Sequence, residues 1–152
     1  MSEHVATVVW MRGESKFTDG RYSRGHEWRF DGGVTVPASA SPHNVRLPFS
    51  VEQAVDPEEA LVAAVSSCHM LFFLSFVAKR GYVVNSYIDE AVGEMAEDDR
   101  GRVAVTKVRL RPRITFTGDS QPDSEMIQSI HHEAHEACFI ANSLRSEVVV
   151  EE

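Results

Sequence analysis

Two cysteines, Cys68 and Cys138, are the only thiols in the chain and stand 70 positions apart. Cys68 lies in Asp56-Pro57-Glu58-Glu59-Ala60-Leu61-Val62-Ala63-Ala64-Val65-Ser66-Ser67-Cys68-His69-Met70, which reads as a long apolar helix with an acidic, proline-marked start. Cys138 lies in His131-His132-Glu133-Ala134-His135-Glu136-Ala137-Cys138-Phe139-Ile140-Ala141-Asn142-Ser143, near the end of a second helix. This is neither the close spacing of a zinc ribbon nor CxxC. Two thiols on separate helices, brought together by folding, point to a redox couple. A static disulfide is the lesser expectation for two cysteines without an export signal. Metal binding is a rival chemistry: His131, His135 and Cys138 fall at i, i+4 and i+7 on one helix face, and Cys68-His69 could complete a set that zinc would accept. The run is not HExxH, because Glu133 comes two places after His131. His69 could instead tune the neighbouring thiolate or fill a polar site beside it.

Stepping outward, Asp56 reads as an N-cap, Pro57 as the first helical residue, and Glu58 and Glu59 as first-turn acids that suit the helix dipole. The helix is expected to run to Lys79-Arg80 and stop at Gly81. Its sides are apolar almost all round, so it should be buried on most faces and central to the fold. The second helix is expected over Ser124 to Phe139. Val5–Met11, Tyr22–Phe30 and Val34–Val36 read as strands of a small meander, turning at Asp31-Gly32-Gly33. A loop about a dozen residues long, Pro37 to Pro48, follows; loops of that length commonly shape a site. Val83–Met95 and Val103–Thr117 read as two long strands joined by Glu97-Asp98-Asp99-Arg100-Gly101, with Pro112 marking an edge or bulge, and Glu147–Val150 as a last strand. The order β-β-β-α-β-β-α-β gives an α+β fold, antiparallel sheet packed on a long buried central helix, in one domain over residues 1–152.

At 152 residues the chain can bury a core without staples, and 43% hydrophobic with 25% charged residues is ordinary for a globular protein. A net charge of −8 with no basic block argues against nucleic acid or an anionic membrane surface as partner. The apolar run Ala60–Ala78 approaches the ~20 residues of a bilayer span. Ser66, Ser67, His69 and Ser75 interrupt it and no basic flank precedes it, so it reads as a core helix. Ser2, Glu3 and His4 do not open a signal peptide, and the expected location is cytoplasmic.

The Asp56-Pro57-Glu58-Glu59 start, the Ser67-Cys68-His69-Met70 run and the His135 to Ser143 segment together resemble the OsmC/Ohr family. Tyr22-Ser23-Arg24-Gly25-His26 and Ala38-Ser39-Ala40-Ser41-Pro42 resemble an OsmC-type subgroup. The resemblance spans nearly the whole chain. It implies an intertwined α+β homodimer with two sites at the subunit interface, reducing organic hydroperoxides. By resemblance Cys68 is the peroxidatic thiol and Cys138 the resolving thiol. Glu58, ten residues before Cys68, falls where the family keeps a glutamate that pairs with an arginine. Arg24 is the candidate arginine, with Arg12, Arg21 and Arg29 nearby, and Glu59 could replace Glu58. His69 departs from the small or aromatic residue that family peroxidases commonly carry after the first cysteine, and the segment between the cysteines looks longer.

The implied chemistry is specific. Peroxide reduction needs a thiolate, and a free thiol with pKa near ~8.5 is little ionised at neutral pH. An adjacent arginine favours the thiolate, and a glutamate holds the arginine. Attack gives a Cys68 sulfenic acid, which Cys138 converts to a disulfide. An external dithiol, of the lipoyl type or similar, completes the cycle by exchange; no organic cofactor or metal is required. The rival function is a non-catalytic dimer of the same fold that binds a metal or an apolar small molecule, with Met70, Phe72, Phe73, Phe76 and Phe139 as candidate lining. In the enzyme reading the same side chains favour bulky organic hydroperoxides.

Overall fold

The computed structural model describes residues 1–151. The chain forms two compact units, Met1–Ala60 and Leu61 onward. The order is β1 (Ala6–Val9), β2 (His26–Phe30), β3 (Thr35–Ala38), α1 (Pro57–Lys79), β4 (Val83–Asp89), β5 (Val92–Glu97), β6 (Val103–Leu110), β7 (Pro112–Thr117), α2 (Ser124–Ala137), α3 (Phe139–Asn142) and β8 (Glu147–Val150).

In the first unit β1, β2 and β3 form the expected antiparallel meander, with Trp28 facing Val8 on one side and Val36 on the other. The turn after β2 closes with Gly33 at φ 95°, a conformation that costs an L side chain. The following loop starts at Ser39, two residues later than expected, because Pro37 and Ala38 complete β3. Its buried hydroxyls are satisfied inside it: Val51 N–H donates to Ser39 Oγ at 2.9 Å and Ser50 Oγ donates to Val45 O at 2.7 Å. The loop leads into the first turn of α1. There Asp56 Oδ1 accepts from Glu59 N and Glu59 Oε1 accepts from Asp56 N, both at 2.8 Å, a reciprocal capping box.

In the second unit α1 ends as expected, with Gly81 at φ 80° directly after the last turn. The two long strands of the sequence reading are four. The first breaks at Glu90-Ala91 and the second at Arg111. The reason is local: Asp89 Oδ1 takes the Arg111 N–H at 2.6 Å, Arg111 Nε donates to Glu90 O at 2.9 Å, and Pro112 has no N–H for the ladder. β4 therefore pairs with β7, and β5 with β6, all antiparallel. β8 adds to β6 in parallel, an exception to the expected antiparallel sheet.

The helices cover these sheets. Phe73 and Val77 of α1 meet Ile130 and Ala134 of α2 in one core cluster. Val65 packs with Val108 and Leu110 of β6 in a second. At Gly93 of β5 the approach to α1 is so close that a Cβ would stand 2.5 Å from Val62 Cγ2. α1 is less buried in the chain than its composition implied. Its fully buried residues are Val65, His69, Phe73 and Val77, a single stripe at four-residue spacing, whereas Leu71 is 61% exposed. Among the described residues of the second unit, the sheets and α2 pack on this stripe. By length and composition α1 could span a membrane, yet this stripe is committed to the core of the second unit.

Candidate functional site

Cys68 and Cys138 come together. Both are free thiols; Cys68 is half-buried on α1 and Cys138 is wholly buried. The second helix of the sequence reading ends at Ala137, so Cys138 is not in a helix. Its backbone is extended (φ −63°, ψ 112°) and it caps the short α3, its sulfur accepting from Ala141 N at 3.4 Å. The bend has a cause in hydrogen bonding: Cys138 N–H donates to His135 O, and Asn142 Nδ2 donates to Glu136 O at 3.1 Å, so the carbonyls released at the end of α2 are recaptured. Burial pushes the Cys138 thiol up. The Ala141 amide pulls it down, and Cys68, within hydrogen-bond reach, pushes it up again. Cys138 therefore resists ionisation, while the more accessible sulfur is that of Cys68. Phe72, one turn past Cys68, meets Phe139 edge-on at 5.0 Å between centroids, an apolar wall next to the couple.

Beside the thiols lies a polar feature missed in the sequence. His69 is fully buried, and its Nε2 is 3.0 Å from Nδ1 of His131, itself 5% exposed. The rings are nearly parallel at 12°, and His131 stacks on Phe73 at 4.2 Å. Burial lowers His69 to about 4, with the charges of His131 and His135 acting the same way and Asp89 opposing. Burial alone lowers His131 to about 4. The metal set of the sequence reading does not assemble: among the described residues no three His, Cys, Asp or Glu side chains are placed to hold one ion. The i, i+4, i+7 face is instead the packing face of α2.

In the first unit Glu58 and Glu59 part company. Glu59 is used in the capping box. Glu58 Oε1 accepts a long bond from Asn44 Nδ2 at 3.4 Å, and its Oε2 is buried without a partner. Arg24 folds onto its own loop: Nη1 donates to Gly20 O at 2.8 Å and to Tyr22 O, and the guanidinium lies 3.7 Å from the Tyr22 ring centre. Among the described residues none of the four candidate arginines is paired with Glu58; Arg29 takes Glu27 at 2.9 Å, and Arg12 bonds Ser15 O at 3.3 Å.

The OsmC-like protein family model matches residues 50–152. The chain belongs to that family. An OsmC-like protein of unknown function from Vibrio cholerae is 57% identical, with 99% of each chain covered and a TM-score of 0.97. An organic hydroperoxide resistance protein from Elizabethkingia anophelis (16% identity, 99% and 93% covered, TM-score 0.70) shares the fold. So does the organic hydroperoxide resistance protein OhrB of Bacillus subtilis (17% identity, 99% and 96% covered, TM-score 0.65). No functionally curated protein matches the sequence.

For this OsmC-like chain one signal could have revealed the histidine pair. His69 falls on the buried i+4 series of α1, and His131 adjoins Ile130 on the buried face of α2. Two histidines on apolar faces of neighbouring helices need a polar partner, and each is the other's.

Proposed function

We propose that the protein is a thiol-dependent peroxidase that reduces organic hydroperoxides to alcohols. The observation that carries this is the pairing of a half-buried Cys68 with a wholly buried Cys138 within its reach. The Cys68 thiolate attacks the distal peroxide oxygen: an S–O bond forms, the O–O bond breaks, and the leaving alkoxide takes a proton to become the alcohol. Cys138 then attacks the Cys68 sulfenic sulfur, the S–S bond forms and water leaves. An external dithiol, such as a lipoyl group, restores both thiols by exchange. The apolar wall of Phe72 and Phe139 suits bulky organic hydroperoxides. The fold shared with organic hydroperoxide resistance proteins supports the same class.

Glu58 and Arg24 are assigned the supporting roles. A buried carboxylate oxygen without a partner is costly, and a guanidinium is the group that satisfies it bidentately. Arg24 would then leave its own loop to hold the peroxide oxygens, oriented by Glu58. The working form is a homodimer with its sites at the interface. The 61% exposed Leu71 of α1 and the 70% exposed Phe139 support a second copy covering these apolar surfaces. The chemistry calls for neither a metal nor an organic cofactor, the net charge of −8 favours no nucleic acid, and the thiols suit the cytoplasm.

The test is intact mass after brief exposure of the reduced protein to an organic hydroperoxide. A loss of two mass units, with consumption of peroxide, is expected, and both vanish in Cys68→Ser. Thiols unchanged in excess hydroperoxide would remove the peroxidase reading in favour of a ligand-binding dimer.

A further inference from the structure

The buried stripe of α1 consists of Val65, His69, Phe73 and Val77, so one residue in an otherwise apolar series is a titratable ring. Its tautomer follows from its surroundings. His69 Nδ1 is buried without a partner. A neutral imidazole has one N–H, and an N–H left there would be an orphaned buried donor. The proton therefore sits on Nε2 and is donated to His131 Nδ1, 3.0 Å away. His131 in turn carries its proton on Nε2, and its ring lines a cavity of about 440 Å³ with Gln128, His132, His135, Val148 and Val150. The bond needs His131 Nδ1 bare. A proton on that nitrogen sets donor against donor, and a proton on His69 Nδ1 buries an unpaired charge.

The placement of the bond gives it a consequence. His69 adjoins Cys68 on α1, and His131 of α2 lies seven residues before Cys138, which follows directly on the end of that helix. Just past the end of α1, Arg80 pairs with Glu133 of α2 at 2.6 Å at the surface. We propose that the His69–His131 hydrogen bond is a positioning clasp, which sets α2 on α1 so that Cys138 meets Cys68 and which releases in acid. The groups that face the pair are few. His132 and His135 come from α2, and Cys68 adjoins on α1. Asp89 comes from β4, and Glu151 lies beyond β8 on a second cavity lined by His131. Of these only Asp89 favours a charged His69, and the fall of both rings to about 4 shows burial outweighing it.

The clasp deepens the peroxidase reading and rests on it for its use, yet it can be tested without a peroxide. An azodicarboxamide oxidant takes two electrons and two protons from the thiols of Cys68 and Cys138, becoming the hydrazine as the S–S bond closes. In the full chain, closure is timed by alkylation and mass from pH 4 to 8 and divided by the iodoacetamide alkylation rate of Cys68 at the same pH. That ratio reports thiol–thiol placement rather than thiolate fraction. His131→Leu should lower it about tenfold at pH 7.5, with the alkylation rate itself within about twofold of wild type. The double variant His69→Gln, His131→Asn, whose amides can bridge the same gap without titrating, should regain most of the lost ratio. It should also lack the further fall that the wild type shows between pH 6.5 and 4. A wild-type ratio in His131→Leu, or an acid fall in the amide pair as steep as in wild type, would overturn the clasp; if His131→Leu does not fold, the amide pair decides alone. Peroxide-driven closure of the wild type is run in parallel. Its failure alongside normal clasp behaviour removes the peroxidase reading and leaves the clasp.

Discussion

Acid should destabilise this protein through two particular residues. His69 and His131 are buried neutral rings that fall from the ordinary 6.5 to about 4 on folding. The sign follows from proton counting. Between those values the unfolded chain binds protons that the folded chain refuses, so stability rises with pH through this window. The contribution is fully present above pH 6.5 and is lost as pH falls towards 4. Each pH unit of difference is worth about 1.4 kcal/mol, so one ring accounts for about 3 kcal/mol. The rings are bonded to each other, and the first proton repels a second, so the pair should be counted once rather than twice. Urea denaturation at fixed protein concentration, at pH 7.5 and pH 4, is the assay. With an m-value of about 2 kcal/mol/M the midpoint should drop by roughly 1.5 M from this source. Other titrating groups act alike in both proteins, so the quantity to read is wild type minus His69→Gln, His131→Asn. That difference should shrink by about 3 kcal/mol on going to pH 4. Parallel pH curves for the two proteins would refute the reasoning, because the rings would then not be buried neutral.

Other outcomes follow from single contacts. Gly93→Ala should cost about 1–3 kcal/mol, read from chemical denaturation, because its Cβ meets Val62 at 2.5 Å; pairing it with Val62→Ala should restore most of the loss. Glu59→Ala should weaken the start of α1 by about 1 kcal/mol with the proposed peroxidase activity nearly intact. Glu58→Gln should do the reverse, lowering kcat/KM by about tenfold or more with little change in Tm. Iodoacetamide should label Cys68 well before Cys138, since the latter is buried and pushed up, and Cys138→Ser should accumulate sulfenic or overoxidised Cys68 on hydroperoxide treatment, seen by mass.

Much of this was legible in the residues. The start of α1 announced itself because Asp56, Pro57 and the acids each satisfy a local need of a helix end, and its stop did so through Gly81. The meander and its Asp31-Gly32-Gly33 turn are likewise short-range features. Local pattern also placed Cys68 on α1, whereas Cys138, expected in the second helix, lies at the break just after it. What it could not carry were contacts between positions distant in the chain. The breaks at Glu90 and Arg111 depend on Asp89 reaching across to another strand. The parallel docking of β8 on β6 has no local signature. Which of Glu58 and Glu59 closes the capping box was likewise not visible in the sequence. The histidines read as a candidate metal face because spacing along one helix is visible in sequence, whereas the neighbouring helix that buries them is not. The sequence by itself determined the ends of α1, the meander, the family and the identity of the two thiols, since those rest on residue type and spacing. Only the tertiary structure decided that Cys138 sits at a helix break against Cys68, and that His69 and His131 satisfy each other, because both depend on how α2 lies on α1.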